Sequence, residues 1–201
     1  MVRPDRRIAR SQDKRVKRSD GMKRTILVFG LISGVISSVM MISTLPFLHK
    51  MGGSNGAIVG YTAIVLSFML VFFGIRSYRE NVGGGEITFG KAFAVGLGIT
   101  LISCAFYVAT WEVIYFKFMP HFMDNYGDST IERLRAAGAS AEVVQAKIEE
   151  FRQLRENYQN PLYNSALTFL EPFPVGLLIT LISATALRKK RKAPAAAAHS
   201  L

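Results

Sequence analysis

Thr25–Leu48, TILVFGLISGVISSVMMISTLPFL, runs for 24 residues without a charge and is preceded by Met22-Lys23-Arg24. At about 1.5 Å per residue such a helix crosses a hydrocarbon layer roughly 30 Å thick with some tilt. It is too long for the core of a signal peptide and no A-x-A site follows it, so it reads as a retained span with Pro46 closing its far end. Only the turn-rich stretch from Met51 to Gly56 separates it from a second uncharged run at about 57–75, which makes the two an antiparallel hairpin.

Two more runs complete the pattern. The third covers about 92–118, through Cys104 and Trp111, with aromatic residues crowding its last two turns like an interfacial belt. The fourth covers about 163–187 and stops against Arg188-Lys189-Lys190-Arg191-Lys192. The chain of 201 residues is half hydrophobic yet carries a net charge of +11, and these properties are compatible because apolar and basic stretches alternate. The fold class is therefore an all-α integral membrane bundle of four transmembrane helices. Basic residues flank the spans, so topology explains them without a nucleic-acid partner.

Lys and Arg are divided 18 to 7 between the two sides, the larger share lying before residue 25, between spans two and three, and after span four. The positive-inside rule places both termini in the cytoplasm. Residues 1–21 are basic, lack apolar periodicity and read as a disordered extension; Met22 reads as an alternative start. Residues 22–190 form the membrane domain and 191–201 a low-complexity tail.

The large link at about 119–162 reads as an external helical hairpin between spans three and four. Ser129-Thr130-Ile131-Glu132 has capping-box spacing for a short helix ended by Gly138. Ser140 then caps a second helix whose Val144, Ile148, Phe151, Leu154 and Tyr158 form a stripe, expected to fold onto the first helix and the membrane surface, the alternative being a face that binds a partner protein. The link Ser77–Lys91 matches G-x-x-x-x-G-K at Gly85–Lys91, but Ala92 stands where a hydroxyl is needed and membrane spans flank it. It reads instead as a glycine turn with Ile87 and Phe89 at the interface and Lys91 anchoring the third span.

The chemistry-bearing candidates are few. Glu112 and Glu171 are acids within spans, about six and eight residues from the outer ends, and their expected depths match. They are the candidate intramembrane proton or cation site; the alternative is that Glu112 reaches the interface and Glu171 satisfies backbone groups freed by Pro172 and Pro174, which break the helix. Gly30 and Gly34 form a G-x-x-x-G step for helix packing. His49 and His121 lie near Glu112 without diagnostic metal spacing, and no metal or other cofactor is expected. Cys104, alone in its span, reads as a packing residue.

The opening MKRTILVFGLISG, FFGIRSYREN at 72–81, GGEITFGKAF at 84–93, RLRAAGASAEVVQAK at 133–147 and TFLEPFPVGLLITLISA at 168–184 together resemble the bacterial membrane family catalogued as domain of unknown function 4199. The resemblance covers about Met22–Lys190 and implies a four-helix inner-membrane protein; it brings no activity, substrate or cofactor with it. Two functions are expected from these readings. One is a non-enzymatic scaffold or accessory protein working through the lipid bilayer, a second copy or a membrane protein partner. The other is a small proton- or cation-coupled transporter using Glu112 and Glu171. No convergent nucleophile, base and metal set points to an enzyme.

Overall fold

The computed structural model describes the backbone of residues 6–51 and 53–189, and the side chains of Gln12 and of residues 15–45 and 58–189. The helices are α1 Arg6–Met51, α2 Gly53–Asn81, α3 Phe89–Val113, α4 Phe122–Ala136, α5 Ala141–Tyr158, α6 Pro161–Leu170 and α7 Pro172–Leu187, with a π-helical turn Ile114–Phe118 closing α3. Four stretches, Arg15–Leu45, Ile58–Asn81, Phe89–Phe118 and Pro161–Leu187, are long and apolar enough to cross a membrane. Two compact units divide the chain, one of residues 1–103 and 174–201 and one of 104–173. The tail at 191–201 lies outside the described residues.

The first unit packs α1, α2, the first half of α3 and α7 through glycines. A Cβ on Gly30 would lie 2.9 Å from Ile102, and one on Gly98 2.9 Å from Ile26, so α1 and α3 run side by side at backbone contact. Thr180 lies against Gly96, and Gly176 against Thr100 and Phe68, which fixes α3 and α7 as antiparallel neighbours. Gly34 is buried beside Ser33, whose hydroxyl donates to the Ser67 carbonyl of α2 at 3.0 Å. The small-residue step of α1 is thus used inside the chain, and the α1–α2 hairpin is antiparallel as expected.

Polarity in this unit is inverted relative to a water-soluble core. Ser33, Ser67, Thr100, Ser103, Thr180 and Ser183 are buried, while Leu31, Val35 and Val39 on α1 and Leu66, Met69 and Phe73 on α2 are exposed. The Ser33, Ser67 and Ser103 hydroxyls donate to backbone carbonyls, and Thr100 Oγ1 lies 3.1 Å from Thr180 Oγ1. An apolar exterior with internally satisfied polar groups is the arrangement a lipid solvent selects. The chain is a multi-pass membrane protein.

Three local expectations change. Helix α1 begins at Arg6 rather than after residue 21, since 6–20 contain neither Gly nor Pro and are rich in Arg and Lys, which favour helix. Pro46 does not end α1, which continues to Met51; a proline deprives a helix of one donor and the next turn can resume. Ile87 is buried rather than interfacial because its backbone pairs with Lys189, N–H to carbonyl at 3.2 Å and in return at 2.9 Å. Gly84 and Gly85, at φ +70° and +85°, make the turn that allows this pairing.

In the second unit, α4 and α5 form a hairpin. Ser140 caps α5 by accepting from Val143 N–H at 3.4 Å, and Gly138, at φ +76°, ends α4 with its neighbour Ala139 bonding back to Leu134. Ser129 is not a cap: α4 starts seven residues earlier, at Phe122, and the Ser129 hydroxyl donates to the Tyr126 carbonyl inside the helix. The α5 stripe covers α4, with Phe151 against Gly127 and edge-on to Tyr126.

Candidate functional site

Both intramembrane carboxylates belong to the second unit, as do their partners. Tyr107, on α3, donates its hydroxyl to Glu171 Oε2 at 3.0 Å. Ser165, on α6, donates to Glu112 Oε1 at 2.9 Å. The two bonds run in opposite directions between antiparallel helices, each helix supplying one acid and one hydroxyl.

This register corrects the expectation of equal depth. Glu112 lies level with Ser165 and Glu171 with Tyr107; Tyr107 is five residues before Glu112, and Glu171 six after Ser165. At about 1.5 Å per residue the acids are therefore roughly 8 Å apart along the helices. Residue counts from span ends misled because α6 starts at Pro161, two residues sooner than expected, capped by the Asn160 side chain on Leu162 N–H at 3.0 Å.

Helix continuity breaks at Glu171, between Leu170 and Pro172. Pro172 and Pro174 lack the N–H groups that would bond the carbonyls of Thr168 and Leu170. The bond that Glu171 makes is to the other helix: its carboxylate accepts from Tyr107. Pro172 is fully buried.

Around these bonds lies a polar and aromatic cluster that the residue pattern did not single out. Asn164, fully buried, donates to the Tyr158 carbonyl at 3.4 Å and accepts from the Thr168 hydroxyl at 3.1 Å. Tyr115 is buried edge-on to Tyr158, and Trp111 stands edge-on to Phe122 of α4. Trp111 Nε1 is buried without a hydrogen-bond partner among the described residues. Burial raises the Tyr158 hydroxyl above the ordinary tyrosine pKa, with the Thr168 hydroxyl opposing in part. The aromatic residues expected as an interfacial belt are thus largely drawn into helix contacts, Phe118 excepted at 75% exposure. Asn164 and Thr168, polar residues at i and i+4 inside an apolar run, were the available signal.

The outer face of α5 is a charge ladder. Arg152 contacts Glu149 at 2.6 Å and Glu156 at 2.9 Å, and Lys147 contacts Glu150 at 2.8 Å. The Arg152 guanidinium, then the Gln153 amide, hold the Glu149 carboxyl down to about 2. Arg155 reaches across to Asp124 of α4 at 2.9 Å. His121 pairs with Asp124 at 3.3 Å, and the His49 side chain lies outside the described residues. No group of three or more His, Cys, Asp or Glu side chains able to hold a metal occurs among the described residues. Cys104 is buried.

Comparison with known proteins gives one family match. The model of the family described as protein of unknown function, DUF4199, matches residues 28–189. No curated protein and no solved structure matches the chain. With that match covering three of the four apolar stretches whole and part of the first, the chain belongs to the DUF4199 family.

Proposed function

We propose that the protein is a non-enzymatic scaffold or accessory protein of a bacterial inner membrane, with both termini cytoplasmic and the α4–α5 hairpin outside, acting by contact with a membrane protein partner. The observation that carries this reading is the way the intramembrane acids are used. Each is held by one hydroxyl of the neighbouring helix, so the pair serves as two cross-links of a helix hairpin rather than one converged site. The α5 stripe and the Gly30–Gly34 step are occupied within the chain, which leaves the charged outer face of α5 for a partner.

The test compares the purified chain with its Glu112→Gln/Glu171→Gln variant in liposomes. Scaffold function expects no flux in either under proton or monovalent cation gradients, and capture of a partner that depends on Glu149, Arg152 and Glu156. One observation favours the transport reading: Glu171, an acid within a span, stands at the helix break between Leu170 and Pro172, and discontinuous helices recur at ion sites in transporters. Flux in the parent chain that disappears in the double variant would replace the scaffold reading with that one.

A further inference from the structure

The end of the first unit that carries the glycine turn gathers cations from three helices. The antiparallel register of α3 and α7 is constant: Gly96 faces Thr180, Thr100 faces Gly176, and Ile87 pairs with Lys189. Arg188 and Lys189 are thereby fixed beside the start of α3, where Lys91 is exposed. Helix α1 runs parallel to α3 with Ile26 on Gly98 and Ile102 on Gly30, an offset that puts Lys91 level with Ser19. Gly21 packs on Val82 of the turn, and Arg18, one turn earlier on that face, is exposed beside it.

Arg18, Lys91, Arg188 and Lys189 carry no side-chain ion pair among the described residues. Among the described residues the acids at this end are Asp20, Glu80 and Glu86; Glu80 is occupied by Arg76 at 3.0 Å and Arg79 at 3.1 Å. Arg79 also donates to the Leu187 carbonyl at 3.4 Å, tying α2 to the end of α7. The topogenic charge excess accounts for the sign of these residues. It does not account for a backbone bridge and a fixed turn that hold these residues of separate helices at one level, the level where phospholipid headgroups meet the spans.

We propose that Arg18, Lys91, Arg188 and Lys189 bind the phosphate headgroup of an anionic phospholipid. The full-length chain, purified in nonionic detergent, is titrated with short-chain phosphatidylglycerol, with phosphatidylcholine of the same chain length, and with inorganic phosphate, and thermal unfolding is followed. Phosphatidylglycerol is expected to raise the midpoint saturably while the other two do not. Each cation contributes roughly fivefold to the affinity, so Lys91→Gln/Arg188→Gln/Lys189→Gln weakens it about 100-fold. Arg133→Gln/Arg135→Gln on α4 leaves it unchanged.

An equal shift with phosphatidylcholine would overturn the proposal by showing an apolar effect. A shift with phosphate alone would overturn it in favour of a soluble anion. Unchanged affinity in the triple variant would do the same. If that variant fails to fold, the parent chain decides: raising salt from about 0.05 to 0.5 M abolishes an electrostatic headgroup site, and a shift that persists contradicts it.

Discussion

Replacing Gly176 by Ala probes the contact on which the first unit depends. A Cβ there would lie 2.5 Å from Thr100 Cγ2 and 2.8 and 2.9 Å from Cζ and Cε1 of the Phe68 ring. Neither neighbour yields easily. Thr100 is fully buried and β-branched, with Oγ1 held at 3.1 Å from Thr180 Oγ1, and Phe68 is a rigid ring at 3% exposure. Helix α7 must therefore retreat from α2 and α3. Overpacking of this kind costs about 1–3 kcal/mol, and the better helix propensity of Ala returns roughly 0.5–1 kcal/mol. The net effect runs from near zero to a loss of about 2.5 kcal/mol, a fall of up to roughly 10 °C in Tm for a chain of this length. The assay is thermal unfolding in detergent beside Gly60→Ala, where nothing among the described residues lies within 4 Å and propensity alone acts, so Tm holds or rises. If Gly176→Ala were as stable as Gly60→Ala, close approach of α7 to α2 and α3 would be refuted.

Glu112→Gln and Glu171→Gln each keep an acceptor for Ser165 and Tyr107, so each is expected to cost under about 1 kcal/mol by thermal unfolding, whereas Tyr107→Phe removes a donor and costs about 1 kcal/mol. Ser140→Ala removes the α5 cap and should lower stability by about 1 kcal/mol, with faster hydrogen exchange confined to the first turn of α5. Tyr158 has its folded pKa raised by burial above an unfolded value near 10, so its contribution is complete below that pH and is lost as pH rises through the folded value. Alkaline titration of the parent chain should show a stability loss that is smaller in Tyr158→Phe.

The spans were legible because lipid imposes a demand visible residue by residue: long uncharged runs closed by charges. Thr25–Leu48 and Arg188–Lys192 carry that signal locally. Gly138 and Ser140 were legible for a similar reason, since left-handed backbone and N-caps are satisfied within a few residues. Ser129 misled because the same spacing fits a serine inside a helix that had already begun at Phe122. The partners of Glu112 and Glu171 lie 53 and 64 residues away, and which hydroxyl meets which acid depends on helix register that no local pattern encodes. The Ile87–Lys189 bridge was hidden likewise, joining the ends of two spans 102 residues apart.

The most direct measurement of the four-span account is labelling of single cysteines by a membrane-impermeant maleimide, in full-length protein carrying Cys104→Ser. Glu86→Cys in the glycine turn and Asp128→Cys, exposed on α4, are placed by the account on opposite faces of the membrane. In intact spheroplasts Asp128→Cys should label and Glu86→Cys should label only after permeabilisation. Labelling of both from one side, or of Glu86→Cys alone, would contradict the account.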